Sequence, residues 1–350
     1  MVDNIEAEIF IRDSCDGVIV DVRTPAEYEI GHIVNAENMP LFTNEERAIV
    51  GTIYKQQSKD KAVEKGLEFV GPRMADMVKT CRKLLRKTGK STIYLYCWRG
   101  GMRSNSVGWL LKTAGIDVKV LSGGYKAYRH SFIEALTNKR WHLMVVGGPT
   151  GCGKTYLLEA LAQHGEQIID LEGIAKHKGS AFGRHGFTEK QPSSEHFSNI
   201  LYHELLKLES SRTIWCEGES MSIGHIFMPQ EMFSTIQKSP FIYYEIPLKD
   251  RIQHIFEDYG TCSKEGLIEC FQKIKKRLGY DRAQQAIEAV ENDNLHLAIE
   301  IAMAYYDKGY SKSISERQGS IIETVSLTKY DLEEAALRLI KIRKIYENDN

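Results

Sequence analysis

The chain has 350 residues, a length that predicts two domains of ordinary size. Hydrophobic residues make up 42% and charged residues 27%, which is typical of a globular protein, and no apolar run is long enough to span a membrane. The formal net charge of -1 excludes binding of nucleic acid through overall charge, so such a partner would have to contact local basic clusters.

The first residues and the cysteines bear on the cellular compartment. Acidic residues occur within positions 1–13, where a secretory signal peptide has a basic start. The seven cysteines are odd in number and include no CxxC pair, so they do not predict a disulfide framework or a zinc site. We therefore expect a cytoplasmic protein with reduced thiols and no membrane partner.

Strand and helix patterns alternate in the first part of the chain. Residues 17–23 and 91–97 are short runs rich in β-branched and aromatic residues, which predict buried strands. Residues 74–85 have helical spacing, and residues 104–115 predict a helix that ends at a glycine. This alternation predicts an α/β fold with a parallel sheet.

The second part begins with a strand that runs into glycines, at residues 141–148, followed by a helix at 156–165. Further strands are predicted at residues 167–173, 213–220 and 241–247. From about residue 248 the pattern becomes helical, before a last strand and helix.

The domain boundary is predicted within residues 135–140, where no low-complexity linker occurs. The two predicted domains are therefore residues 1–138 and residues 139–350, with the helical part of the second starting near residue 248.

The loop that follows residues 91–97 combines a cysteine with glycines and arginines. Gly100 and Gly101 let the backbone curl so that its N–H groups can point at an anion. Arg99, Arg103 and the start of a helix would favour the ionised thiol of Cys97. We therefore predict that Cys97 is a catalytic nucleophile or group carrier rather than a core cysteine. The predicted active-site loop consists of Trp98, Arg99, Gly100, Gly101, Met102, Arg103 and Ser104.

A phosphate-binding loop is predicted where the second domain begins. Residues 148–155, GPTGCGKT, match G-x-x-x-x-G-K-[ST] between a predicted strand and a predicted helix. Backbone N–H groups of such a loop surround phosphate oxygens, Lys154 neutralises them, and Thr155 can hold Mg²⁺. Cys152 is interpreted as a small residue that the loop tolerates. The predicted phosphate-binding residues are Gly148, Gly151, Cys152, Gly153, Lys154 and Thr155.

The carboxylate that would complete this phosphate site is ambiguous. Asp170 and Glu172 lie in one predicted strand end, and Glu217 and Glu219 lie in another. Neither pair follows the usual hydrophobic run before a single Asp, so each carboxylate is interpreted equally as a site residue or as a capping or surface group. Lys249, Arg251 and Arg277 of the later helices could reach phosphates, but each of them taken singly is interpreted as a solvated charge.

Residues 21–41 resemble the first signature of the rhodanese family, with a strand ending in Asp-Val-Arg and a later Gly-His-Ile. The resemblance implies that Asp21, Arg23, Glu27 and His32 are mainly structural, and that Cys97 occupies the catalytic, chalcogen-carrying position. Six positions separate Cys97 from the loop's last arginine, one more than in many sulfurtransferase rhodaneses. A longer loop makes a wider cradle, for a phosphoryl group or for a chalcogen larger than sulfur.

Three basic clusters, residues 79–90, 273–277 and 338–344, could contact a phosphate backbone. Residues 79–90 contain six basic residues and no acid. Because basic helix faces are also common on soluble proteins, the clusters alone do not predict RNA binding.

The pairing of these two units in one chain resembles the bacterial tRNA 2-selenouridine synthase family over almost the whole length. The most specific matching segments are residues 96–104, 147–155, 170–183, 191–193 and 305–310. Residues 193–201 and 216–220 depart from the family's usual sequence, so the resemblance assigns no roles there.

The resemblance implies a two-step reaction at wobble 2-thiouridine in tRNA. A geranyl group from geranyl diphosphate is first placed on the sulfur, and selenium from selenophosphate then replaces the S-geranyl group. The P-loop would hold the diphosphate, and Cys97 would handle selenium, for example as a perselenide. No tightly bound cofactor is implied, Mg²⁺ is possible, and the oligomeric state is not indicated.

Two alternatives remain open from the sequence. The first is a rhodanese- or phosphatase-like cysteine domain fused to a P-loop small-molecule kinase or ATPase, although Tyr96 stands where those phosphatases have histidine. The second is a nucleotide-dependent binding module with an inactive rhodanese domain, which the intact Cys97, Arg103 and Lys154 disfavour.

Overall fold

The computed structural model describes residues 2–139, 141–179, 183, 189–260, 262–315, 317 and 321–349. The chain forms two compact units, Met1–Asn138 and Lys139–Asn350. Both units are α/β with a five-stranded parallel sheet, and the predicted fold class is confirmed. None of the helices in the described part combines the length and the apolar character needed to cross a bilayer.

The first unit alternates strands and helices along the chain. Its strands are β1 (Asp3–Ile5), β2 (Val18–Asp21), β3 (Glu37–Asn38), β4 (Thr92–Tyr96) and β5 (Asp117–Leu121). Its helices are α1 (Ala7–Asp13), α2 (Pro25–Ile30), α3 (Asn44–Gln56), α4 (Lys59–Val70), α5 (Met74–Thr88), α6 (Met102–Thr113) and α7 (Gly124–Asn138). The strand order is β1-β5-β4-β2-β3, with every pair parallel.

The second unit has a parallel sheet and a helical part. Its strands are β6 (Leu143–Gly147), β7 (Gln167–Ile169), β8 (Ile214–Glu217), β9 (Ser222–Ile223), β10 (Ile226–Phe227), β11 (Phe241–Glu245) and β12 (Ile321–Ser326). Its helices are α8 (Lys154–Gln163), α9 (Leu171–Ala175), α10 (Ser194–Leu206), α11 (Gln230–Lys238), α12 (Leu248–Tyr259), α13 (Lys264–Leu278), α14 (Tyr280–Glu291), α15 (Leu295–Ser315) and α16 (Leu332–Asp349). The sheet order is β12-β11-β6-β8-β7, and β9 and β10 form a separate antiparallel pair.

The central strands of both sheets are buried on both faces, as expected where helices cover a parallel sheet. In the first unit, β4 is almost wholly buried, whereas the edge strands β1 and β3 are largely exposed. In the second unit, β6 and β8 are fully buried and β12 lies at the exposed edge. Both the Cys97 loop and the P-loop follow a central buried strand, where the carboxyl ends of parallel strands favour ligand binding.

The predicted end of one strand differs from the structure. Residues 167–173 do not form a single strand, because β7 ends at Ile169 and Asp170 starts helix α9. The Asp170 carboxylate accepts a hydrogen bond of 2.7 Å from the Gly173 N–H and so caps this helix. The following Glu172 therefore lies on a helix rather than on a strand.

Candidate active sites

The Cys97 loop connects β4 to α6 and is packed closely against the start of α7. The Cys97 carbonyl accepts a 2.8 Å hydrogen bond from the Tyr125 N–H. Gly100 adopts a φ of +61°, and a Cβ placed on Gly124 would lie only 2.3 Å from the Cys97 carbonyl oxygen. Glycines at these two positions are therefore required for the loop to curl and to approach α7.

The Cys97 sulfur lies at the base of a cavity of about 720 Å³. The residue is only 3% exposed, and its Sγ is 3.2 Å from the Ser104 hydroxyl, so one of the two groups donates a hydrogen bond to the other. Trp98, Arg99 and Arg103 also line this cavity. The thiol is thus buried yet adjacent to an opening, as a nucleophile that acts on a bound substrate must be.

Arg103 is neutralised by a carboxylate, whereas Arg99 is not. Arg103 donates hydrogen bonds of 2.8 and 3.2 Å to the two carboxylate oxygens of Glu27. Burial alone would raise the pKa of Glu27, but the hydrogen bonds and charge of Arg103 bring that pKa below its usual value. Glu27, interpreted from sequence as structural, therefore also orients the last arginine of the loop.

Asp21 and Arg23 form a fully buried ion pair that supports the β2 end of the site. The Arg23 guanidinium donates to Asp21 at 2.7 Å and to the Gly31 carbonyl at 2.6 Å. It also lies 3.9 Å from the centre of the Tyr125 ring. These contacts fit the structural role that the sequence predicts for Asp21 and Arg23.

The P-loop joins β6 to α8, and its glycines are required by its geometry. Gly151 and Gly153 both have a φ of +81°, and a Cβ on Gly148 would lie 2.1 Å from the Tyr244 carbonyl oxygen. Cys152 is fully buried beneath the loop, where burial raises the pKa of its thiol. Cys152 therefore packs against the core and does not present a nucleophile to the cavity.

Lys154 begins α8 and donates a 3.4 Å hydrogen bond to the Gly148 carbonyl. Burial lowers the pKa of its ammonium, but electrostatic interaction with neighbouring groups, Cys152 followed by Glu172 and Glu219, raises that pKa above its usual value overall. The side chain is therefore a permanent cation at the edge of the P-loop cavity.

The four candidate carboxylates separate into different roles. Glu172 accepts a 3.2 Å hydrogen bond from the Thr155 hydroxyl, and burial followed by repulsion from Glu219 raises its pKa to about 8. Glu217 is fully buried and accepts a 3.1 Å hydrogen bond from the Leu171 N–H. Asp170, Glu172 and Glu219 line the same cavity as the phosphate-binding residues, although one oxygen of Asp170 also caps α9, whereas Glu217 is not among the lining residues.

The P-loop residues line a second cavity, of about 540 Å³. Lys154, Thr155, Glu172 and Glu219 are among its lining residues. In the part of the chain that the structure describes, no group of three or more His, Cys, Asp or Glu side chains is arranged to hold a metal ion by itself. The Thr155 hydroxyl beside Glu172 matches instead the partial ligand set with which a P-loop holds Mg²⁺ together with phosphate oxygens.

Aromatic and aliphatic side chains also line the P-loop cavity. Ile255, Tyr259 and Tyr306 line both this cavity and an adjoining apolar gap of about 30 Å³ among α12, α13 and α15. The remaining walls of the gap are Thr150, Leu267, Phe271, Leu295, Ile299, Ala302 and Met303. Sequence reasoning did not identify this surface, because its residues come from helices separated by tens of positions.

The interpretation of Arg251 as a solvated charge is wrong. Arg251 is 6% exposed and donates to both carboxylate oxygens of Asp307, at 3.0 and 2.5 Å. Its Nε also donates a 2.9 Å hydrogen bond to the Thr150 carbonyl in the P-loop. Arg251 therefore stabilises the backbone of the P-loop through the Thr150 carbonyl.

The fold and the two sites define a class of protein in which a rhodanese-like unit precedes a P-loop unit. The profile described as "Rhodanese-like domain" matches residues 8–131, and the one described as "tRNA 2-selenouridine synthase AAA domain" matches residues 141–331. The chain belongs to the tRNA 2-selenouridine synthase family.

Relatives match over nearly the full length. A tRNA 2-selenouridine synthase of Nitrosomonas europaea is 32% identical, over 91% of this chain and 93% of that protein. One of Nitrosomonas eutropha is 33% identical, over 99% of this chain and 87% of that protein. A solved N-terminal domain from Clostridium difficile 630 is 42% identical over 38% of this chain and all of its own length, with a TM-score of 0.34.

Proposed function

We infer that this protein is a tRNA 2-selenouridine synthase, which converts wobble 2-thiouridine to 2-selenouridine through an S-geranyl intermediate. The observation that carries this proposal is that one chain has two glycine-rich loops, each beside its own cavity, one with Cys97 and one with Lys154. The names of the relatives give tRNA as the molecule that they modify, which supports RNA as the substrate here.

The first proposed step is alkylation of the 2-thiouridine sulfur by geranyl diphosphate. The sulfur forms a bond with the first carbon of the geranyl group, the carbon–oxygen bond to the diphosphate breaks, and the N3 proton of the base is released. A P-loop suits this step, because its backbone N–H groups and a buried ammonium stabilise the charge that develops on the departing diphosphate. Lys154 supplies that ammonium.

Mg²⁺ would be held by the Thr155 hydroxyl and Glu172, next to the diphosphate oxygens. When bound, it would supply further charge neutralisation to the leaving group. The raised pKa of Glu172, caused by burial and then by Glu219, reflects negative charge that a cation would offset. The residues present therefore fit this ion.

The aromatic wall of the P-loop cavity supports an isoprenoid rather than a nucleobase beside the phosphates. A geranyl chain needs only carbon contacts, each buried CH₂ contributing about 0.8 kcal/mol, whereas a nucleobase needs hydrogen-bond partners. Ile255, Tyr259 and Tyr306 offer such a surface, and the adjoining gap is lined mainly by aliphatic and aromatic side chains. The chain would lie along these three residues, with its end towards the gap.

The second proposed step exchanges the S-geranyl group for selenium. A thione has no good leaving group, but once the sulfur is alkylated it can depart from C2 as geranylthiol. Selenide forms a bond with C2, the C2–S bond breaks, and the departing thiolate takes up a proton. Selenium remains at the selenide oxidation level, so the exchange needs no oxidant or reductant.

Cys97 is assigned the release of selenide from selenophosphate. Its thiolate attacks phosphorus, an S–P bond forms, the P–Se bond breaks, and hydrogen selenide anion is left in the cavity beside the base. Water then cleaves the S–P bond to give phosphate and the free thiol. A perselenide on Cys97 would need an oxidant and is not part of this scheme. The curled loop and the exposed Arg99 suit a phosphoryl group.

Nucleoside analysis by mass spectrometry tests the proposal in cells that lack the native gene and express variants. We expect Cys97→Ala to abolish 2-selenouridine and to accumulate S-geranyl-2-thiouridine, because only the second step needs the thiol. We expect Lys154→Ala to lower both products by roughly 10²- to 10³-fold, the usual loss when one charge-stabilising donor is removed. Cys15→Ala, which removes an exposed thiol, is the control and should behave like the wild type.

Unchanged 2-selenouridine in the Cys97→Ala strain would refute the assignment of the thiol. If the tRNA nucleosides were unaffected by the wild-type gene while the purified protein turned over phosphate esters at Cys97 and ATP at the P-loop, the phosphatase–kinase alternative would replace this proposal.

A further inference from the structure

One wall of the Cys97 cavity has no role in the chemistry described above. Helix α3 contributes Arg47, Gly51, Tyr54 and Lys55 to this wall. The four residues occur at i, i+4, i+7 and i+8, a spacing that places them on a single face of the helix. We refer to this face as the α3 wall.

The cations at the cavity mouth lack carboxylate partners. Arg47, Lys55 and Arg99 are exposed, and in the described part of the chain none of their three side chains forms a hydrogen bond or ion pair with another residue. Among the residues that line the cavity, the one carboxylate is that of Glu27, which is already paired with Arg103. The mouth therefore carries uncompensated positive charge.

Large apolar side chains are exposed beside these cations. Tyr54 is 59% exposed, Trp98 is 37% exposed and Met102 is 53% exposed. Exposed aromatic rings interleaved with cations are what proteins use to bind single-stranded nucleic acid, because the rings stack on bases while the cations contact phosphates. A small inorganic anion such as selenophosphate would need no such rings.

Gly51 makes room for this arrangement. A Cβ at this position would lie 2.7 Å from a guanidinium nitrogen of Arg47. The Arg47 side chain therefore occupies the helix surface that a side chain at position 51 would otherwise cover. Arg47 therefore lies along the α3 wall beside Gly51 and lines the cavity.

We propose that the α3 wall, with Trp98 and Arg99, binds a single-stranded RNA loop and holds one of its bases next to Cys97. This inference rests on the proposed function, because it takes the substrate to be tRNA. It goes further by identifying the surface of the first unit that holds the RNA. Arg47, Lys55 and Arg99 contact phosphates, and Tyr54 and Trp98 stack on bases. The site is distinct from the basic cluster at residues 79–90, which could contact a phosphate backbone but does not by itself predict RNA binding.

A matched pair of double variants tests this site. Arg47→Ala/Lys55→Ala removes two cations from the α3 wall, and Lys83→Ala/Lys87→Ala removes two exposed, unpaired cations from α5, so both change the net charge equally. Binding of an anticodon stem–loop RNA that carries 2-thiouridine is measured as a function of salt. We expect the first variant to bind roughly 5- to 100-fold more weakly, with a salt slope lower by about 1 to 2. The second variant should bind like the wild type.

Alkylation of Cys97 by iodoacetamide provides a second readout that does not depend on activity. Bound RNA should protect Cys97 from alkylation in the wild type and in the Lys83→Ala/Lys87→Ala variant. The Tyr54→Ala and Arg47→Ala/Lys55→Ala variants should lose this protection at the same RNA concentration. Cys15 is exposed and lies outside the cavity lining, so its alkylation should not respond to RNA. Peptide mass spectrometry distinguishes the two thiols.

The possible failures are distinguishable. Wild-type affinity in the Arg47→Ala/Lys55→Ala variant, or a loss of affinity confined to the Lys83→Ala/Lys87→Ala variant, would overturn the α3 wall while leaving the proposed function intact. If the wild-type protein did not bind the stem–loop or bulk tRNA even at low salt, the proposed function itself would fail, and the α3 wall with it.

Discussion

At the scale of single residues, the surroundings of Glu172 strongly affect its ionisation. It is buried, it contacts the Thr155 hydroxyl, and Glu219 repels its negative charge. Burial is the largest cause of the shift, and the resulting pKa of about 8 is well above the 4.5 of a free glutamate. Without a cation, Glu172 is therefore mostly protonated at neutral pH.

The shift of Glu172 predicts how stability depends on pH. Because the folded-state pKa is raised, the folded protein holds this proton more tightly than the unfolded chain, so the stabilisation is complete below pH 4.5. It is lost as pH rises towards 8. We expect the free energy of unfolding of the second unit to fall by on the order of 2–4 kcal/mol across this window through this group, and Glu172→Gln to remove the fall.

Urea unfolding followed by tryptophan fluorescence measures this effect. Trp98→Phe/Trp109→Phe provides a background in which emission comes from Trp141 and Trp215, which lie in the second unit. Glu265→Gln, which removes an exposed carboxylate of α13, is the control and should keep the wild-type pH profile. An identical pH profile in the Glu172→Gln variant would show that Glu172 does not carry the predicted shift.

At the scale of elements, Arg251 connects two helices to the P-loop. Its guanidinium joins α12 to Asp307 on α15, and its Nε contacts the carbonyl of Thr150. The backbone conformation of the loop therefore depends partly on two helices, α12 and α15, which begin 98 and 145 residues after Thr150. This link couples the helical part of the second unit to phosphate binding.

Breaking this ion pair should weaken both stability and diphosphate binding. Asp307→Asn leaves a buried guanidinium with an uncompensated charge, which costs about 1–3 kcal/mol here, since the carboxylate side is partly exposed. We expect a lower free energy of unfolding and a several-fold weaker affinity for inorganic diphosphate, measured by urea unfolding and calorimetry. Glu209→Gln, at a more exposed pair with Arg212, should change stability by less than about 0.5 kcal/mol. Equal stabilities of the two variants would contradict this role.

The same elements show what the sequence could predict. The P-loop and the Cys97 loop were predictable because each is encoded within about eight consecutive residues between a strand and a helix. The ends of β4 and β6 were predicted within two residues, since buried strands alternate sharply with glycine-rich turns.

The missed features depend on distant or competing signals. Asp170 was assigned to a strand because a single N-cap residue competes with the preceding run of β-forming residues. The partners Arg251 and Asp307 are 56 residues apart, and Glu27 and Arg103 are 76 apart, so no local pattern connects them. The α3 wall was also missed, because its cations and aromatic ring are few on a helix that is otherwise ordinary in composition.

At the scale of the whole molecule, each compact unit carries one of the two loops that we propose to bind anions. The proposed chemistry divides in the same way, since alkylation requires Lys154 and selenium exchange requires Cys97. The S-geranyl intermediate is a tRNA, which can dissociate from one protein molecule and bind another. Two variants that are each defective at one loop therefore retain complementary activities.

Mixing the purified Cys97→Ala and Lys154→Ala proteins should accordingly restore 2-selenouridine formation that neither variant supports alone. With 2-thiouridine tRNA, geranyl diphosphate and selenophosphate supplied, the first variant makes the S-geranyl tRNA and the second converts it. We expect a lag before selenouridine appears, because the intermediate must first accumulate in solution, and a yield that rises with the concentration of the second variant. The double variant Cys97→Ala/Lys154→Ala, mixed with either single variant, is the control and should give no product. If the mixture of single variants stayed inactive while each one bound tRNA normally, the two loops would have to act within one polypeptide on a tRNA that is never released.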